Sequence, residues 1–192
     1  MKILRIIFIL IILVILIWLF VLDFVPGEKL EINYDFCNKE SMITELSPGN
    51  RLWSIKEVNN ECFQDIAASP VYFDIRVPQY FNSAEIEVKY IKSDGEEFKI
   101  GPQVIKNEWI WMLQDIQEIE KIGESQIGKA QFNLENVYQN SNIMRWLISA
   151  PTVEENKEVI SISNIKIVLY KDKLNSSNFI EQIKTYVRKI IR

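Results

Sequence analysis

Apolar and polar positions follow three regimes along the chain. Residues 6–22 are seventeen apolar side chains in succession. From about residue 71 to residue 170, apolar and polar positions alternate with a period of two, and over residues 178–192 the period becomes helical. Each regime predicts a different element.

A helix apolar on every face suits hydrocarbon, and about 18 to 20 such residues cross a bilayer core of roughly 30 Å. Ile3, Leu4, Phe24 and Val25 extend the strict run, since Arg5 can snorkel to the headgroups. Lys2 and Arg5 precede the run and Asp23 and Glu28 follow it, which places the N-terminus in the cytoplasm. Trp18 lies near the far end, where interfacial aromatics are favoured. A cleaved signal would be shorter and would end in small residues, whereas Leu22-Asp23-Phe24-Val25-Pro26 has no small pair. The expectation is an uncleaved, single-pass anchor over residues 1–25, with everything beyond it outside the cytoplasm.

The middle regime reads as strands. Val71, Phe73, Ile75 and Val77 alternate with Tyr72, Asp74 and Arg76. Ile86, Val88 and Tyr90 alternate with charged residues, and Ser93-Asp94-Gly95 then signals a turn before Phe98 and Ile100. That pattern predicts a hairpin over 84–101. Trp109, Trp111 and Leu113 alternate again, and strand patterns recur at 130–134, 143–148 and 159–170, with a bulge expected at Ser163-Asn164. Ile116, Ile119 and Ile122 at spacing three, with Asp115 before and Gly123 after, predict one internal helix over 114–122. Short strands at intervals of about ten residues predict a mainly β fold, an antiparallel jelly-roll-like sandwich over 26–174.

The third regime, residues 175–192, predicts an amphipathic helix. Phe179, Ile180, Ile183, Val187, Ile190 and Ile191 share one arc, and Lys184, Arg188 and Arg192 lie opposite them, with Lys189 nearby. Three partners fit such a helix: the sandwich itself, the membrane surface, or a partner helix.

Charge narrows the function. Beyond Arg5 the chain carries 20 basic and 26 acidic side chains, a net −6, which excludes a nucleic-acid binder of ordinary type. The two cysteines, Cys37 and Cys62, both fall in the exported part and are expected to pair there. Two unpaired buried thiols are the alternative.

The motif Pro70-Val71-Tyr72-Phe73-Asp74-Ile75-Arg76-Val77-Pro78, the strand over 84–90 and Trp109-Ile110-Trp111 resemble uncharacterised single-pass bacterial membrane proteins with a β-sandwich ectodomain. Leu147-Ile148-Ser149-Ala150-Pro151, followed by 160–170, resembles the last strands of galactose-binding-like jelly rolls. The resemblance implies architecture, and carbohydrate binding beyond it.

Chemistry is sparse. The chain has no histidine, which removes Ser-His and Cys-His nucleophile systems and most zinc sites. A Ser-Lys pair stays formally open. No glycine cluster forms a phosphate-binding loop. Asp74, Glu85, Glu87, Glu96 and Glu97 are carboxylates on alternating strands or turns, where an outward carboxylate is the default. A Ca²⁺ site of the jelly-roll kind cannot be read from scattered acids, so no cofactor is assigned. Trp53, Trp109, Trp111 and Trp146, with Tyr72 and Tyr80, are the candidate platform for stacking on sugar rings. Trp109 and Trp111 share a strand face, and a sandwich of this size favours them as core.

These observations point to a non-enzymatic, membrane-anchored, extracytoplasmic module for interaction or assembly in the cell envelope. Its expected partners are the membrane and an envelope protein. The alternative is a glycan-binding module that uses exposed aromatic side chains.

Overall fold

The structure, a computed structural model, describes residues 8, 10–14, 29–38, 42–77, 81–93, 95–105, 108–138, 142–156 and 158–171. Phe8 and residues 10–14 are helical and exposed. Lys2, Arg5, Trp18 and most of the expected anchor lie outside the described residues. So does the expected terminal helix with Lys184, Arg188, Lys189 and Arg192. Among the described residues no helix is long and apolar enough to cross a membrane.

Alternation builds two antiparallel sheets. The larger has the order β2-β3-β11-β5-β9-β8, with β1 also on β11. Its strands are β1 (Lys29–Asp35), β2 (Lys56–Val58), β3 (Glu61–Ile66), β5 (Ser83–Ile91), β8 (Gln117–Ile122), β9 (Ser125–Asn133) and β11 (Ile160–Tyr170). The smaller has the order β4-β10-β6-β7, built from β4 (Val71–Arg76), β6 (Lys99–Pro102), β7 (Gln114–Asp115) and β10 (Ile143–Ser149). Residues 42–47 lie along β4 through the bridges Ile43↔Ile75 and Ser47↔Tyr72. A short helix, α1 (Thr152–Asn156), sits between β10 and β11.

The strand β5 shows why the sheets stack: its residues alternate between buried and half-buried along its whole length. Inward side chains from both sheets form one core. Trp146 on β10 and Phe132 on β9 meet across it edge to face, with ring centroids 5.1 Å apart.

The pattern along β11 explains the disulfide. β1 pairs with Asn164–Tyr170 and β3 with Ile160–Ile162, so two strands share β11 in tandem. The register shift against β5 falls between Ile162 and Asn164, where the bulge was expected. Cys37 follows β1, Cys62 lies in β3, and their sulfurs are bonded, with Cα atoms 5.2 Å apart. The bond thus ties together the two strands that share β11.

Two expectations fail. Residues 84–101 are not a hairpin: β5 belongs to the larger sheet and β6 to the smaller, so the 92–98 segment crosses between sheets. Residues 114–122 are not a helix. They form β7 and β8, which join the two sheets at a corner around Ile116. A register shift between Glu118 and Glu120 interrupts β8. Isoleucines three apart therefore arise from a corner and a bulge, not from helical turns. Ile116 seats over Gly128, where a Cβ would stand 2.3 Å from its Cγ2.

Candidate functional site: the outer face of the smaller sheet

Beyond Pro102 the chain of β6 continues as the first arm of a hairpin. Val104 N–H donates to the Ile110 carbonyl (2.9 Å), Gln103 bridges Trp111, and Met112 N–H donates to the Pro102 carbonyl (3.0 Å). Residues opposite one another in an antiparallel ladder point to the same side. On β4 the inward residues are Val71, Phe73 and Ile75, so Tyr72, Asp74 and Arg76 face outward. Arg145 lies opposite Asp74, and Gln103 N–H donates to the Arg145 carbonyl (2.9 Å). The outer face therefore carries a row running Trp111, Gln103, Arg145, Asp74.

Trp109 stands two residues before Trp111 on the same side, with ring centroids 6.1 Å apart and planes tilted by 39°. Trp109 is 73 % exposed and Trp111 is half-buried. This corrects the expectation that the pair is core. The large inward aromatic is Trp146, which is fully buried and so is no part of any platform.

The polar half of the face is held in place. The Arg145 guanidinium is bound to both Asp74 carboxylate oxygens, Nε–Oδ1 at 2.7 Å and Nη2–Oδ2 at 2.9 Å. It also lies 5.4 Å from the centre of the Tyr72 ring. The hydrogen bond to Asp74 raises the Arg145 pKa above its ordinary value. Gln103 Nε2 donates to the Glu108 carbonyl (3.2 Å), tying the two arms of the hairpin. Next to this row is Gly101, buried under the 112–113 backbone, where a Cβ would stand 1.9 Å from the Met112 carbonyl oxygen. Only glycine lets the 112–113 backbone ride over β6 there.

Of the six predicted platform residues, Trp109 and Trp111 meet on this face, and Tyr72 lies on the same face but across β10 and β6 from them, beside Arg145. Trp53 is 52 % exposed but belongs to the edge beside β3, where its N–H donates to the Asp65 carbonyl (3.0 Å). The Lys56 ammonium lies 5.4 Å from its ring. Tyr80 lies outside the described residues. Sequence reasoning missed Arg145, Gln103 and Gly101. The one available signal was Arg145 as a polar position between the inward Met144 and Trp146.

A second depression of about 500 Å³ is lined by Asn82, Ser83, Glu85, Gln131, Asn133 and Tyr170, among others. Several of its polar groups are already paired. Glu85 accepts from Lys129 and from Gln131, both at 3.1 Å, and Asn133 Oδ1 accepts the Glu135 N–H (2.9 Å). Among the described residues no group of three or more His, Cys, Asp or Glu side chains could hold a metal ion. Ser163 and Lys166 have Ser-x-x-Lys spacing but make no dyad. The Ser163 hydroxyl is directed to the Lys89 carbonyl and Lys166 is paired with Glu31 at 2.8 Å.

No family model matches the chain, and no curated protein does. Solved structures do. A CBM22-1 xylan-binding domain from Paenibacillus barcinonensis is 9 % identical, with a TM-score of 0.45, over 74 % of this chain and 95 % of that one. A module from Clostridium stercorarium, solved in complex with cellobiose, is 7 % identical, with a TM-score of 0.42, over 73 % and 94 %. A carbohydrate-binding module whose mannan recognition was dissected is 13 % identical, with a TM-score of 0.35, over 77 % and 100 %. At these identities and scores nothing about a ligand follows for this chain.

Proposed function

We propose that this chain is a non-catalytic glycan-binding module held on the outer side of a membrane. The observation that carries the reading is the Trp109–Trp111 pair: two indoles side by side, one of them largely in solvent, on the same face as a fixed Arg145–Asp74 pair. A pyranose ring offers an apolar C–H face and a rim of hydroxyls. Indole rings stack on the first, and fixed donors and acceptors meet the second. A hydrophobic protein partner would match Trp109 but not the adjacent charged row. The glycan-binding alternative is therefore preferred to the protein-interaction reading.

The apolar run 6–22 supports the tether, with Trp18 near its far end, and Lys2 and Arg5 before it support an N-in orientation. The Cys37–Cys62 bond fits an oxidising compartment outside the cytoplasm. The test is a panel of envelope and plant polysaccharides probed with the full chain in detergent, alongside Trp109→Ala and Trp111→Ala. Binding to at least one polysaccharide, lost in both variants while the melting temperature stays unchanged, is expected. Binding that survives both substitutions removes the platform.

A further inference from the structure

The Trp109 hairpin projects from the end of the sandwich where the chain enters and leaves it. Lys29, the first residue of β1, lies opposite Tyr170, the last of β11. Tyr170 in turn lies opposite Ser83, and Ser83 opposite Asn133, so all four mark this basal end. The smaller sheet reaches it where Arg76 pairs with Ile143. Val77 N–H donates to the Asn142 carbonyl (2.7 Å), Leu134 N–H to the Asn82 carbonyl (2.7 Å), and Tyr138 N–H to the Gln103 carbonyl (3.0 Å). The arms beyond Gln103 thus emerge among the basal loops.

The hairpin exposes apolar side chains on both sides of its arms, with the polar Lys106-Asn107-Glu108 between them in sequence. Ile105 is 41 % exposed on the Trp109 side, Ile110 is 43 % exposed on the reverse, and Ile143 beside them is 39 % exposed. A polysaccharide lying along the outer face would leave Ile110 in water. The headgroup region of a bilayer surrounds an inserted tip on every side, and tryptophan is favoured at that depth. Chain length allows the contact. Only residues 23–28 separate the apolar run from Lys29, and six residues fully extended span at most about 21 Å.

We propose that the saccharide taken by this site is the headgroup of a membrane glycolipid, with the sugar ring on Trp109 and Trp111, the lipid's apolar shoulder against Ile105, and Ile110 seating the reverse side of the hairpin in the surrounding bilayer surface. The proposal rests on the glycan reading above and on residues 6–22 spanning the bilayer. It narrows the ligand from glycans in general to sugars presented at the bilayer surface.

The test uses the full chain in phosphatidylcholine nanodiscs containing mono- and diglycosyl diacylglycerols and phosphatidylglycerol. Native mass spectrometry reads which lipids stay bound, and calorimetry with the matching free disaccharides forms the second arm. The wild type is expected to retain a glycosyl lipid about tenfold over either phospholipid, which is about 1.4 kcal/mol. Trp109→Ala and the double variant Ile105→Asn/Ile110→Asn should each abolish that preference without lowering the melting temperature. Free disaccharides should bind more weakly, with sensitivity to Trp109→Ala alone. If free sugars bind as tightly as the lipid form and the isoleucine variant changes nothing, the glycolipid assignment is overturned and the glycan reading stands. If neither form binds, both fall. Retention of glycolipid that survives Trp109→Ala also overturns the assignment.

Discussion

The Met112 carbonyl oxygen occupies the space a side chain on Gly101 would need, 1.9 Å from where the Cβ would stand. The obstructing atoms are backbone, so no rotamer change relieves the clash. Gly101→Ala should cost about 1–3 kcal/mol as overpacking and should displace the hairpin that carries Trp109 and Trp111. Gly49 has nothing within 4 Å of its Cβ position, so Gly49→Ala is the control. Urea melts of the two variants check this, with loss of stability expected only at residue 101.

Trp146 and Trp109 should respond oppositely to truncation. Trp146 is fully buried against Phe132, so Trp146→Ala should cost about 3–5 kcal/mol. Trp109 is largely in solvent, so Trp109→Ala should stay within about 0.5 kcal/mol of wild type. Denaturant midpoints of the two variants read both values, and a large loss at Trp109 would mean that it supports the fold.

The disulfide closes a loop of sequence separation 25 between two strands that share β11. In the chain-entropy model such a loop stabilises by roughly 3 kcal/mol. A reductant, or Cys37→Ser/Cys62→Ser, should lower the unfolding free energy by about that amount. No change would show that β11 holds both strands unaided.

Stability should also fall in acid for a specific reason. Hydrogen bonds from Lys129 to Glu85, and from Lys166 to Glu31, hold both carboxyls below their ordinary value of 4.5. A carboxyl depressed in the folded state contributes stability that is complete above 4.5 and is lost as pH falls through its folded value. The melting temperature should therefore decline below about pH 4.5, and Glu85→Gln should flatten that decline. The effect is small because both pairs are solvent-screened.

Much of the β architecture was legible in alternation, because a sheet with one covered face imprints a period of two. β5 and β11 are of this kind. What failed lay in long-range choices. Ser93-Asp94-Gly95 marks a reversal, but it does not say whether the next strand returns to its own sheet or crosses to the other. Phe98 packs edge to face on Tyr90 at 4.8 Å, so the crossing is secured by a contact eight residues away that no local pattern encodes. The isoleucines at 116, 119 and 122 mimic a helix because a corner and a bulge also break a period of two. Trp109-Ile110-Trp111-Met112 is apolar on both faces, and a doubly covered strand and an exposed tip are then indistinguishable. The Arg145–Asp74 pair joins residues 71 apart, which placed the polar half of the site beyond sequence reading.

The most direct measurement is calorimetric titration of the full chain with the saccharide that binds it, comparing Trp109→Ala with Trp53→Ala. Both tryptophans are exposed, Trp53 beside β3 of the larger sheet and Trp109 on the hairpin that continues β6 of the smaller one. Loss of a stacking indole should weaken binding by at least about tenfold for Trp109→Ala, and Trp53→Ala should leave it unchanged. Equal losses at the two positions, or none at Trp109, would contradict a glycan site on the outer face of the smaller sheet.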